Sequence, residues 1–224
     1  MNATAIESPK LPSKRQSLPA KLLNVLATPS EVFDEVIADS PKLRNWLIST
    51  LLTCACWFLF SIPAPSSQPD TIVSGADLRR SPLLFQVLRV LLTTLAGAAA
   101  SCWSALVLWL IGRLVLRSRF SYLKTLELVG LTQMILVLGT VVTFLLVTVT
   151  GESAIRPALS ILAVKLSSSS PVWRALEALN LFHLWSAAVL ALALSRLSGT
   201  SYKECAFWVL GYWIILRVIL AMLG

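Results

Sequence analysis

Charge is scarce in this sequence. Asp, Glu, Lys and Arg make up 13% of its 224 residues and hydrophobic residues 56%, where soluble domains carry about 25% charged residues. So little charge cannot cover a water-facing surface of ordinary size, which excludes a simple soluble globule. Histidine is scarcer still: His183 is the only one. That rules out His-Glu-x-x-His metal motifs, and neither Gly-x-Ser-x-Gly nor a glycine-rich phosphate loop is present. Asp34, Asp39, Asp70 and Asp77 lie between apolar runs rather than within them, so no intramembrane aspartyl pair can form. The four cysteines, Cys54, Cys56, Cys102 and Cys205, show no zinc or redox spacing and read as small apolar packing residues. The sequence calls for no cofactor, no metal and no catalytic centre.

What is abundant is apolar length. About 20 helical residues at 1.5 Å each cover the ~30 Å hydrocarbon core. Five runs reach or approach that length, and they predict spans at 46–62, 90–115, 126–149, 176–197 and 206–223. The second belongs to a longer run, 83–116, of about 34 residues or ~50 Å, which exceeds the core. Between spans three and four, Ile161, Leu162, Val164 and Leu166 suggest an interfacial turn that Ser167-Ser168-Ser169-Ser170-Pro171 breaks. The expected fold is all-α: a polytopic bundle of five transmembrane helices, occupying 41–224, preceded by a short amphipathic interfacial helix. No secretory signal peptide precedes the first span, which is expected to act as an uncleaved anchor.

The net charge of +8 does not read as a nucleic-acid footprint, because the basic residues sit between apolar runs, where they set topology. With the N-terminus inside, the tail, Lys42, Arg44, Arg113, Arg117, Arg119, Lys124, Arg196 and Lys203 are cytoplasmic; Arg79, Arg80, Arg89, Arg156, Lys165 and Arg174 are outside. The ratio, roughly two to one, favours a cytoplasmic N-terminus and an outer C-terminus.

Residues 1–20, rich in Ser, Pro and Lys, are expected to form a disordered cytoplasmic tail. Within 21–40, an apolar patch (Leu22, Leu23, Val25, Leu26) leads to Thr28-Pro29-Ser30-Glu31. Thr28 is placed to cap a helix, with Pro29 at its first position and Glu31 as the reciprocal partner. That helix gathers Val32, Phe33, Val36 and Ile37 on one face and Glu31, Asp34, Glu35 and Asp39 near the other. It is too short and too charged to span, so it lies at the interface or against the bundle.

Three stretches carry a family resemblance: Pro29-Ser30-Glu31-Val32-Phe33-Asp34-Glu35-Val36 before span one; Ser121-Tyr122-Leu123-Lys124-Thr125-Leu126-Glu127-Leu128-Val129-Gly130 opening span three; and Leu184-Trp185 followed by Thr200-Ser201-Tyr202-Lys203-Glu204-Cys205-Ala206. In their order and spacing they resemble the Yip-domain (Ypt-interacting protein) family of five-span membrane proteins, and its bacterial branch in particular. The resemblance covers about residue 26 to the C-terminus. It implies a cytoplasmic N-terminus and a very short outer C-terminus. The eukaryotic members act with Rab-type GTPases; their Asp-Leu-Tyr-Gly-Pro-like element is not in this sequence, so no GTPase role is implied. Phe120-Ser121-Tyr122-Leu123-Lys124 and Thr200-Ser201-Tyr202-Lys203 also echo one another at the starts of spans three and five.

Two constellations are candidate sites. Folding spans four and five about Thr200-Ser201 brings Arg217 level with His183, and Asn180 lies one turn away. An arginine inside a span must find acceptors, so Asn180, His183 and Arg217 form either a polar pocket for a headgroup or small anion, or an interhelical hydrogen-bond cluster; Glu152 and Glu177 are further candidate acceptors. The second is electrostatic: acidic Glu31, Asp34, Glu35 and Asp39 and basic Arg113, Arg117, Arg119 and Lys124 share the cytoplasmic side. They either face each other, docking the N-terminal helix under the bundle, or stand as solvated charge runs or a partner-binding surface. The reading these support is a non-enzymatic integral membrane scaffold or adaptor in a bacterial inner membrane, organising proteins or lipids, with homo-oligomerisation open. The alternative is a transporter or channel component whose path Asn180, His183 and Arg217 line.

Overall fold

The computed structural model describes residues 16–60, 82–151, 157–159, 176 and 179–223. The expected tail up to residue 15, the loop after span one, the serine-rich break at 167–171, Glu152 and Glu177 lie outside the described residues. Among the described residues, seven α-helices follow in order: α1 (Leu18–Ala27), α2 (Pro29–Ala38), α3 (Leu43–Phe60), α4 (Pro82–Leu110), α5 (Tyr122–Thr150), α6 (Leu181–Ser198) and α7 (Tyr202–Leu223). The fold is all-α, and α4 continues into a π-helical turn, Ile111–Val115.

Among the described residues, three helical stretches are long and apolar enough to cross a bilayer: Val90–Val115, Tyr122–Thr150 and Leu181–Ser198. The first coincides with the second span read from the sequence. The fourth starts later than read, at Leu181, because the Asn180 side chain accepts a hydrogen bond from Phe182 N at 2.9 Å and so caps the helix there. The helices α3, of 18 residues, and α7, of 22, would extend about 27 Å and 33 Å. Apolar side chains on the bundle's outside stay exposed, among them Leu51, Leu91, Leu95, Phe144, Leu145, Phe207 and Ile215. So many exposed large apolar side chains belong against lipid rather than water.

The N-terminal region departs from the sequence reading. The patch around Leu22 is itself a helix, α1, so α1 and α2 form a pair joined at Thr28. Thr28 does not cap α2 with its side chain. Its N–H donates to Asn24 O at 2.7 Å and its hydroxyl turns back to the same carbonyl at 3.4 Å. The orphan carbonyl at the end of α1 competes for Thr28 and wins. Pro29 does take the first position of α2.

The helix α5 is the axis of the bundle, with α1, α3, α4 and α6 packed on it and α7 packed on α6. One apolar core joins Leu22, Val25, Val32, Phe33 and Val36 of α1–α2 to Leu128, Leu131 and Ile135 of α5 and Val189 and Ala193 of α6. A second joins Ala105 and Leu108 of α4 to Leu126 and Val129 of α5, Ala191 and Leu194 of α6, and Cys205 and Val209 of α7. Polar groups inside the spans are tied off locally or across helices. The hydroxyls of Thr132, Thr140, Thr143 and Thr148 return to the carbonyl four residues back. Gln133 finds its partner on α3, accepting from Thr50 Oγ1 at 3.2 Å, and Trp46 Nε1 donates to Ser101 Oγ on α4 at 3.0 Å. The repeated Ser-Tyr stretches have a common cause: Ser121 and Ser201 each receive an N–H from the residue three further on, at 3.2 and 3.4 Å, as the caps of α5 and α7.

The approach of α3 to α5 depends on Gly130, where a Cβ would stand 2.8 Å from Trp46 Cα. That neighbour is backbone and cannot swing aside. Gly130→Ala is therefore expected to force the two helices apart and lower stability by about 1–3 kcal/mol, read as a fall in the thermal midpoint of the purified chain in detergent.

Candidate functional site

The chemistry-bearing side chains collect at the end of the bundle where α2 ends, α3 and α5 begin, and the α4–α5 turn closes. At its centre lies a buried ion pair. Lys124 Nζ stands 3.1 Å from Glu127 Oε2, and their side chains are 8% and 2% exposed. The two are one turn apart at the start of α5, an i,i+3 pair. Glu127 also accepts from Lys42 N at 3.1 Å and from Asn45 Nδ2 at 2.5 Å. Lys124 Nζ donates in addition to Val36 O at 2.6 Å. Removing both charges from water costs several kcal/mol per ion, offset only when the remaining donors and acceptors are met. Here each carboxylate oxygen has a donor, and the knot fastens α2, the α2–α3 link, α3 and α5 together. Lys124 also brings positive charge to the C-terminal end of α2, which has no basic residue in its own last turn.

The acidic residues of α2 find nearby cations. Glu35 pairs with Lys21 of α1 at 3.1 Å, with side chains 14% and 6% exposed, and accepts from Gln16 N. Asp39 pairs with Lys42 at 2.7 Å. Asp34 reaches Arg196, at the end of α6, at 3.4 Å. Both groups are about half exposed, so that last contact contributes at most about 1 kcal/mol. Glu31 is exposed. Of the four basic residues of the α4–α5 region, Lys124 is brought to α2. Arg113, Arg117 and Arg119 instead line a cavity of about 720 Å3 together with Ser118, Phe120 and Ser121.

The sequence model of the Yip1 domain matches residues 23–224. The chain belongs to the Yip1 domain family. No curated protein and no solved structure matches it. The Yip1 domain begins within α1 and takes in the knot, the arginine cavity and every long helix.

The intramembrane constellation of this Yip1 domain is looser. Asn180 is engaged as the cap of α6, and its backbone pairs with Ala158. His183 Nδ1 is buried and, among the described residues, has no hydrogen-bond partner. The Arg217 guanidinium lies over the Trp213 ring, 5.6 Å from the centroid. Asn180 is thus set to a task of its own at the start of α6. Asn180→Ala is expected to cost about 1 kcal/mol, seen as faster amide exchange in the first turn of α6.

Glu127 and Asn45 were not singled out by sequence reasoning. A signal was available: Glu127 is a carboxylate inside an apolar run, where it must find donors, and Lys124 stands three residues before it. Among the described residues, no group of three or more His, Cys, Asp or Glu is placed to hold a metal.

Proposed function

We propose that this Yip1-domain protein is a five-span, non-enzymatic scaffold or adaptor of a bacterial inner membrane, with its N-terminus cytoplasmic and its C-terminus outside. The observation that carries the reading is the seating of α1–α2. The pair is not left floating on lipid: its apolar face enters the core shared with α5 and α6, and the Lys124–Glu127 knot fixes its end. This makes a rigid platform at one end of the bundle, with Glu31, Asp34 and Arg196 exposed along it. A fixed polar platform on a lipid-embedded base is suited to holding partner proteins at the membrane. The side chains best able to do chemistry there, Lys124 and Glu127, are engaged in holding the platform. The placement of basic residues supports a cytoplasmic side for this face, and five crossings would then leave the C-terminus opposite.

Two measurements test this. Reporter tags on the two ends should report opposite compartments; the same compartment would end the five-span reading. A photocrosslinker at position 31, on the platform, should give discrete protein adducts in intact membranes, while one at lipid-facing position 95 should not. Equal adduct patterns from the two positions, or solute flux through the reconstituted chain, would overturn the adaptor reading.

A further inference from the structure

The turn between α4 and α5 is built around three arginines that the platform does not use. Among the described residues no carboxylate forms an ion pair with Arg113, Arg117 or Arg119, although each lines the same 720 Å3 cavity. Pockets of about 300–1,000 Å3 suit small ligands and headgroups. Arg113, Arg117 and Arg119 are exposed around this open space, and the planar forks of arginine match phosphate oxygens.

The backbone here is unusual and firmly held. The π-turn Ile111–Val115 replaces the last α-helical turn of α4, and π-turns recur at functional sites. Arg117 has φ 53°, and it is the one non-glycine residue with positive φ among those described. Such a conformation costs about 1–3 kcal/mol and persists only where its surroundings enforce it. The surroundings do: Ser118 N donates to Gly112 O at 2.9 Å, Ser118 Oγ to Ser198 O at 3.2 Å, and Trp109 Nε1 to Phe120 O at 3.1 Å. Phe120 lies so close over Gly112 that a Cβ there would collide with its ring. Arg113 is in turn held over Trp109, 5.1 Å from the ring centroid. A glycine at 117 would relieve the strain; an arginine held there spends stability to place a guanidinium.

We propose that Arg113, Arg117 and Arg119 form a binding site for one phosphate group, that of an acidic glycerophospholipid headgroup. A lipid is favoured over soluble phosphate because the cavity sits where a membrane-crossing helix ends, and Leu114 and Val115 beside it are 71% and 41% exposed. Acyl chains can lie along that apolar surface while the phosphate enters the cavity. Nothing in this depends on the adaptor reading: the site works equally in a chain with any other role.

The test uses the full-length chain in a neutral detergent, with native mass spectrometry to count phosphatidylglycerol molecules retained. One is expected per chain, in preference to phosphatidylcholine. Each arginine near anionic lipid contributes about fivefold in affinity, so Arg113→Gln and Arg119→Gln should each weaken retention about fivefold. Arg117→Gly should weaken it similarly while raising the thermal midpoint of the lipid-free chain. Replacing all three with lysine keeps the charge but loses the forks, and retention should still fall. Arg44→Gln with Lys203→Gln, exposed cations outside the cavity, should leave it unchanged. The proposal is overturned if that control lowers retention as much as the cavity variants, or if the triple lysine variant retains lipid like the parent. It is overturned equally if inorganic phosphate protects the chain from heat as well as phosphatidylglycerol does.

Discussion

Glu127→Ala is expected to cost the folded chain about 3–5 kcal/mol, the usual loss when one partner of a buried ion pair is removed. The reason lies in what remains. Lys124, 6% exposed, would be left with only Val36 O to receive it, and both Asn45 Nδ2 and Lys42 N would lose their acceptor. Two helices and the link before α3 would then carry unmet polar groups at one junction. The measurement is the thermal midpoint and monodisperse yield of purified protein in detergent. Companion variants separate charge from hydrogen bonding. Glu127→Gln retains an acceptor for Asn45 but leaves the lysine charge unpaired, so it should fall between parent and alanine. Adding Lys124→Met to Glu127→Gln removes the stranded charge and should recover most of the loss. If Glu127→Ala alone behaves like the parent, the knot does not hold the helices together and the platform must be fixed by its apolar face alone.

The junction also shows why some of this molecule is legible in sequence and some is not. Span positions follow from apolar length, a one-dimensional property, so Val90–Val115 could be read directly. The seating of Val32, Phe33 and Val36 follows from helical periodicity, which marks a face for burial but leaves open what buries it. Partner choice is three-dimensional. Glu35 and Lys21 lie on two short helices whose relative angle is set at Thr28, and that angle depends on whether the threonine hydroxyl turns forward to α2 or back to Asn24. Sequence favours the first and packing selects the second. Likewise, the placement of Lys and Arg between apolar runs led to the expectation that the acidic and basic runs share one side of the membrane. It could not tell that Asp34 meets Arg196 at the end of α6, or that Arg113, Arg117 and Arg119 line an open cavity of their own. The π-turn has no composition signal at all, since it arises from one inserted residue in an otherwise helical run.

The other large effect should come from Phe33→Ala. Phe33 is fully buried, at 0% exposure, in the core that α1–α2 shares with α5 and α6. Truncating a buried phenylalanine costs about 3–5 kcal/mol. Two short helices of 10 residues each have no independent stability, because isolated helices below about 12–15 residues are marginal in water. The loss should therefore appear as release of α1–α2 rather than as collapse of the whole bundle. Amide exchange in 18–38 should rise sharply, and limited proteolysis should cut near Thr28, while exchange in the middle of α5 stays slow. Glu127→Ala strikes α3 and α5 as well as α2, so it should instead speed exchange at the start of α5. Two variants of similar energy would thus leave different footprints: one confined to the platform, one reaching the bundle that supports it. If Phe33→Ala loosens α5 as much as α1–α2, the platform and bundle form a single cooperative unit.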